Sequence, residues 1–438
     1  MPRSGPESST RRRPGESVSL RAAAIVCVVI LLAVLSQFYR SSLGVIAPNL
    51  MHELGLSADD VGLASGSFFL IFAALQIPIG VLLDRFGTRR VVASLLLLAV
   101  AGSLQFARAE SLNGLIAGRL LIGLGFSGLM IGAMIVLRRW FPADRFATVL
   151  SIVFASSNAG SLAATWPLAA SATAWGWRAT FLGLTALTAA LTIGFFAVMR
   201  DAPPDQPRAT TAPPSLAELA AGLRRLLAIR DLPLLLPIVA VGYGTVASVL
   251  GLWGGPYLHD LYGLGSEERG LVLSIMAMSM IAGTIAFGPL DRYVGSRKRV
   301  VAAGALGTAA LVFLLALDPR PSLLQAGAIL SGFCFVGAYS VTSMAHGMAL
   351  FSDELAGRGA ATLTPALMGG AALIQVLSGQ LAEFAAAADG HPTEASYVAV
   401  FAFIGAVTLA ALLVYGRAAD ARPGSAVAPE PPPRGRHA

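Results

Sequence analysis

Charge is scarce in this chain. Only 13% of its 438 residues are Asp, Glu, Lys or Arg, and 55% are hydrophobic. Soluble domains carry about a quarter charged residues, so an ordinary soluble core is excluded. Lysine is nearly missing: of 31 basic residues, Lys298 is the single lysine. Cysteine is limited to Cys27 and Cys334, both inside apolar runs, which excludes a disulfide framework and metal spacing. Strict alternation of apolar and polar residues is missing as well, and with it the pattern of a membrane β-barrel. The apolar runs hold no Ser/His/Asp set, metal cluster or paired carboxylates, and no nucleotide-binding loop occurs. An enzyme, a metal site, a cofactor and a nucleotide-driven pump are therefore not expected. The net charge of +7 raises nucleic acid as a partner, but the distribution of that charge argues against it.

What the chain has is apolar runs of about twenty residues or more, recurring from residue 22 to 416. They predict an all-α membrane protein whose partner is the lipid bilayer. Spans are expected at 22–50, 60–80, 91–108, 112–137, 147–170, 177–199, 233–259, 268–288, 300–317, 322–350, 359–386 and 395–416. Twelve spans put both termini on one side. Twenty-five basic residues then fall on the side of the termini and four (Arg108, Arg178, Arg269, Arg320) on the other. The positive-inside rule makes the termini cytoplasmic. Arg11, Arg12 and Arg13 precede a run too long for a signal peptide, so an uncleaved first span is expected.

The expected domains are a disordered N-terminus (1–21), a six-helix bundle (22–199), a cytoplasmic linker (200–232), a second six-helix bundle (233–416) and a disordered tail (417–438). In the linker, Ser215 with Glu218 three residues on forms a capping box. It opens a short helix with Leu216, Leu219, Leu223, Leu226 and Leu227 on one face, expected to lie in the membrane interface. The halves are related in sequence at an offset of 208. Gly55-Leu56 falls on Gly263-Leu264, Asp59-Asp60 on Glu267-Glu268, Gly62-Leu63 on Gly270-Leu271 and Pro48 on Pro256. In transporters such repeats set the site at their interface near the midplane.

One residue breaks the repeat. Arg40 is the nineteenth of the 29 residues from Ala22 to Leu50, too deep to snorkel easily. A buried arginine costs at least about 2.5 kcal/mol and normally faces a bundle interior or a water-filled cavity. It falls on Ser248 of the second half, and Gln37 falls on Thr245. Arg40 is read as an anion-binding group, with Gln37, Thr245 and Ser248 adding hydrogen bonds; the alternative is a structural arginine satisfied by carbonyls. Arg119 in span 4 has three readings: proton coupling, a second anion contact, or a structural arginine. Asn158 and Gln375 are further candidate substrate contacts. Gln76, Tyr243, Trp253, Tyr257, Tyr339 and His346 are weaker cavity-lining candidates. Glu383 is the only acid placed within a span, and no carboxylate lies deep, which argues against a cation as substrate.

The loop after span 2 reads Gly80-Val-Leu-Leu-Asp84-Arg85-Phe-Gly87-Thr-Arg89-Arg90, and a looser copy, Gly288-Pro-Leu-Asp291-Arg292-Tyr-Val-Gly295, follows span 8. It resembles the signature loop of the major facilitator superfamily, as do Arg138-Arg139-Trp140-Phe141-Pro142 after span 4 and the glycine-rich stretch from Gly118 to Gly125. The resemblance covers about residues 22–416 and implies twelve transmembrane helices in two six-helix bundles. Span 1, with Tyr39-Arg40 and Ala47-Pro48, is also similar to organophosphate:phosphate antiporters and to carriers of amino acids, nitrate or organic acids. The arginine that the antiporters carry in span 7 is missing.

The function implied is secondary active transport of a small organic or inorganic anion (an organic acid, an amino acid, a nitrate-like or a sugar-phosphate-like solute). It would run by alternating access across a bacterial inner membrane, in a monomer energised by protons or a counter-substrate. Asp84, Arg85, Gly87, Arg89, Asp291 and Arg292 are the expected gating residues. Asp84 in particular can face the positive N-terminal end of a helix in the other half. The alternatives are an exporter of lipophilic compounds or drugs and a transporter-like ligand sensor.

Overall fold

The computed structural model describes residues 14–203, 229–351, 356–386 and 392–420. Every regular element in them is helical. Within hydrocarbon there is no water to satisfy backbone N–H and C=O groups, and a helix satisfies them within itself. Ten helices are long and apolar enough to cross a bilayer, and two bent pairs bring the total to twelve. They form two six-helix bundles. The interfacial helix expected from Ser215 lies outside the described residues.

Boundaries follow the apolar runs, with instructive exceptions. The helix of span 1 begins at Pro14, its apolar part at Leu20 near the expected Ala22, and it is broken at Ser42 into Pro14–Ser41 and Leu43–Leu54. So residues 14–21, expected to be disordered, belong to a helix; proline suits a first helical position because the N–H it lacks has no intrahelical partner there. Span 2 is Ala58–Ala74 with Gln76–Phe86, bent by 49°, and span 5 is Ala143–Ala163 with Trp166–Trp175. Span 7 is Leu232–Ser248, a π-helical turn Val249–Trp253, and Gly254–Tyr262. Span 8 is Ser266–Val294 and span 11 is Ala356–Phe384.

The repeat is physical. Gly55 and Gly263 end the corresponding helices with φ of 63° and 66°, the left-handed conformation that only glycine adopts without strain. The break at Ser42 and the π turn from Val249 occupy equivalent places in spans 1 and 7. Each half also ties its third span to the end of its sixth. Arg89 N donates to Asp201 Oδ1 at 2.7 Å, and Lys298 N donates to Asp420 Oδ1 at 3.1 Å.

The halves meet chiefly on the side away from the termini, here the far side. Backbones approach there through glycine. A Cβ on Gly44 would lie 2.7 Å from Gly251 C, one on Gly255 1.8 Å from Gly44 O, and one on Gly62 2.8 Å from Gln375 O. Pro48 sits inside its helix and cannot bond the carbonyl four residues back. That carbonyl belongs to Gly44 and points into the seam against Gly255. Spans 5 and 8 close the other flank, where Thr165 Oγ1 and Ser274 Oγ are 2.8 Å apart. On the side of the termini, Gly369 of span 11 finds only the Ala73 methyl, at 4.0 Å, and Gly80 and Gly288 find nothing within 4 Å. Among the described residues the close backbone contacts between the halves are thus concentrated on the far side.

Within the first bundle, Gly160 lets span 5 lie on span 1: a Cβ there would sit 2.0 Å from Val34 O. Gly160→Val is expected to destabilise the fold by about 1–3 kcal/mol, the usual cost of overpacking. Gly183→Ala, at a position with nothing within 4 Å, is expected to cost nothing. Thermal unfolding of the purified protein in detergent compares the two.

Candidate functional site

Two arginines lie at membrane depth, and their surroundings differ. Arg119 is 1% exposed. Its Nη1 donates to Tyr39 O at 2.6 Å, its Nε to Ala64 O at 3.3 Å and its Nη2 to Ser65 O at 3.4 Å. The guanidinium also lies 4.9 Å from the Phe68 ring centroid. Every nitrogen is engaged by a carbonyl of span 1 or span 2. Its nitrogens are thus held within the first bundle, which favours the structural of the three readings over an anion contact.

Arg40 is half-buried in the last turn before the break in span 1. Its Nε is buried without a hydrogen-bond partner, and its terminal nitrogens find no acceptor among the described residues. Its guanidinium carbon lies 4.6 Å from the centroid of the Phe72 ring in span 2. A cation over an aromatic face gains about 0.5–2 kcal/mol, which offsets part of the desolvation and leaves the hydrogen-bonding edge unused. The preceding helix end also favours a cation.

A polar shell flanks Arg40 on one side. Gln37 Nε2 donates to Ser161 Oγ of span 5 at 2.9 Å, and Ser41 Oγ lies 3.2 Å from the same oxygen. Asn158, one turn before Ser161, is half-buried and makes no hydrogen bond among the described residues. On the other side stand aromatics: Phe69 is one turn before Phe72 and lies 6.4 Å from Tyr243 of span 7. Tyr243 is half-buried. Sequence reading missed Phe72. The available signal was Phe68, Phe69 and Phe72, which put aromatic rings on one helix face a turn apart.

The loops on the side of the termini are held within each half. Gly87 has φ of 85°, and a Cβ there would meet the Asp201 carboxylate at 2.5 Å. Arg89 Nε donates to Phe196 O at 2.9 Å. Asp291 accepts from Arg297 Nε at 3.0 Å inside its own loop. Asp84, Arg85 and Arg292 are exposed, and the Asp84 carboxylate forms no hydrogen bond or ion pair among the described residues. The Arg85 guanidinium lies over the Phe86 ring at 5.3 Å.

The family model described as the Major Facilitator Superfamily matches residues 29–293, more than half of the chain. The chain belongs to this superfamily. It is 24% identical over 281 residues to a probable sulfoacetate transporter of Cupriavidus necator, a match that takes in 62% of this chain and 65% of that transporter, just under two thirds of its length. It is 23% identical over 296 residues to a hexuronate transporter of Bacillus subtilis, covering 67% of this chain and 69% of the relative. In fold it matches the crystal structure of a bacterial homologue of the human lysosomal transporter Spinster. The TM-score is 0.67 at 17% identity, over 90% of this chain and 95% of that one.

In this superfamily member the second half offers less than expected. Thr245 and Ser248 are fully buried, and their hydroxyls donate to their own helix, at Val241 O (2.9 Å) and Gly244 O (2.7 Å). Both were expected to turn towards a solute; instead a helical hydroxyl in an apolar setting bonds the carbonyl four residues back. Gln375 is fully buried too, with Nε2 on Ala247 O at 3.3 Å and Oε1 unpartnered. Gln76 bonds carbonyls of Phe72 and Ser127, Trp253 bonds Ser378, Tyr257 bonds Pro319 O and His346 pairs with Tyr415. Each of these holds helices together.

The two arginines should separate in stability measurements. Arg119→Leu leaves three carbonyls without their donors and is expected to destabilise by several kcal/mol, at about 1–3 kcal/mol per lost buried partner. Arg40→Leu removes a charge that no protein acceptor compensates and is expected to be neutral or stabilising. Thermal unfolding of both variants in detergent checks the contrast.

Proposed function

We propose that this protein is a secondary transporter of a small anion that works by alternating access, with Arg40 as its anion anchor. The observation that carries the reading is a guanidinium at membrane depth, stacked on Phe72, whose hydrogen-bonding edge has no acceptor among the described residues. A carboxylate, sulfonate or similar oxyanion supplies what is missing, and a bidentate pair is the strongest form of that contact. Gln37 and Asn158 flank the anchor and add donors. The sulfoacetate and hexuronate carriers among the relatives are named for anions, which supports the same class. Arg119 acts as a brace.

On this reading the protein sits in a bacterial inner membrane with both termini cytoplasmic, which the arginine bias supports, and the closely packed far side of the seam faces outward. The bundles 22–199 and 233–416 rock about the seam, and the linker 200–232 tethers them. Asp84, Arg85, Gly87, Arg89, Asp291 and Arg292 belong to the inner gate; the exposed Asp84 fits a gate standing open. A cleft of about 790 Å³ lined by Arg138, Arg139 and Trp140 adds positive charge on the same side, which favours anion encounter. The carrier works as a monomer and draws on a proton or counter-substrate gradient.

The test is uptake into proteoliposomes of labelled sulfoacetate, tartrate and a hexuronate. Arg40→Ala is expected to lower uptake of the accepted solute about tenfold to a hundredfold, the equivalent of one or two charge-assisted hydrogen bonds. Arg40→Lys, with its charge but no planar fork, is expected to fall between. Full transport by Arg40→Ala would remove the anchor.

A further inference from the structure

We infer that Glu383 is the latch of the far-side gate: its carboxylate holds the first turn of span 2 while that side is closed, and releases it when the side opens. Glu383 stands one residue before the end of span 11, in the second half. Its Oε2 accepts a hydrogen bond at 3.1 Å from the backbone N–H of Ala58, the first residue of span 2, in the first half. A helix start leaves its first N–H groups without partners in the helix and carries the positive end of the helix dipole. Local capping at span 2 is already in place. Ser57 Oγ accepts from Asp60 N, and the Asp60 carboxylate accepts from Ser57 N. The amide of Ala58 is left over, and Glu383 fills it from the opposite half.

The contact depends on closure. Directly below it, Gly62 and Gly379 let the two backbones touch, for a Cβ on Gly62 would lie 3.0 Å from Gly379 Cα. A glutamate side chain spans only a few ångströms, so tilting the helices apart at this end separates carboxylate from amide. Asp59 and Asp60 lie in the same first turn and repel Glu383, which keeps the latch weak enough to open. The same two antiparallel spans carry the reverse arrangement at their other end. Asp84 stands near the end of span 2 on the side where span 11 begins, and it is unbonded. Each helix thus has a carboxylate near its end. The rocking that joins one pair parts the other.

The inference takes alternating access from the reading above but does not depend on the anion site, and its test uses no substrate. The reporter is Thr165→Cys in a Cys27→Ser, Cys334→Ala background of the full chain in lipid nanodiscs. Thr165 is 2% exposed, lies across the far-side seam from Ser274 and belongs to the flank opposite Glu383. Its alkylation by a membrane-impermeant maleimide is slow while the seam is shut, and the rate scales with the fraction of time it is open. Glu383→Ala is expected to speed alkylation about tenfold, the worth of one charge-assisted hydrogen bond. Glu383→Gln, which keeps an acceptor oxygen but not the charge, is expected to give a smaller increase. Glu394→Gln, which removes an exposed acid at the start of span 12 on the same side, is expected to change nothing. An unchanged rate in Glu383→Ala overturns the latch. So does an equal acceleration by Glu394→Gln, because the effect would then be one of surface charge.

Discussion

A guanidinium inside a bilayer needs acceptors, and hydrocarbon has none to offer. Either the protein supplies them or the group waits for something that does. Both solutions occur in this chain within one bundle. Arg119 draws three carbonyls from spans 1 and 2, and in doing so ties three helices into one rigid block. Arg40 receives an aromatic face and no acceptor. The two are linked: Tyr39, whose carbonyl takes the shortest of the Arg119 bonds, immediately precedes Arg40. Its hydroxyl is in turn held by Ser103 and Thr188. A charged group with unused donors keeps its position only if its backbone is fixed by other means.

The seam between the halves rests on the opposite economy, with side chains removed at its closest approaches. Glycine at 44, 62, 255 and 379 lets backbone meet backbone across the seam, and proline at 48 frees a carbonyl to sit in it. Such a surface has few side-chain rotamers to reorder, so opening and closing cost little conformational entropy. The π turn in span 7 takes part in this seam through Gly251, and the break in span 1 lies beside it, next to Arg40. Breaks in a helix are where a membrane protein can change local direction, and π turns recur at functional places. The repeat puts both at the same level, one in each half, and only one half carries the charge.

Much of this was legible without coordinates. Long apolar runs dictated helices, since nothing else satisfies the backbone in lipid. An offset of 208 showed the duplication, and Arg40 stood out from it as a charge in one half only. Gly55 and Gly263, matched by that offset, both end helices. Other features were not legible. Thr245 and Ser248 fall opposite Gln37 and Arg40 in the repeat and looked like partners. A buried helical hydroxyl has a carbonyl of its own in reach, however, and takes it unless something better is present. Arg119 and Arg40 are alike in sequence terms; acceptors are a property of neighbouring chains, and no local signal reports them.

The sequence by itself determined what the bilayer demands: twelve crossings, the duplication, and a cation too deep to reach water. Tertiary structure alone decided which cation is satisfied, which side of the seam is closely packed and which carboxylate crosses the seam. The reason is that these depend on contacts between residues 55, 80 or 325 positions apart. Distances of that kind are set by how helices pack, and any one helix is compatible with several of them.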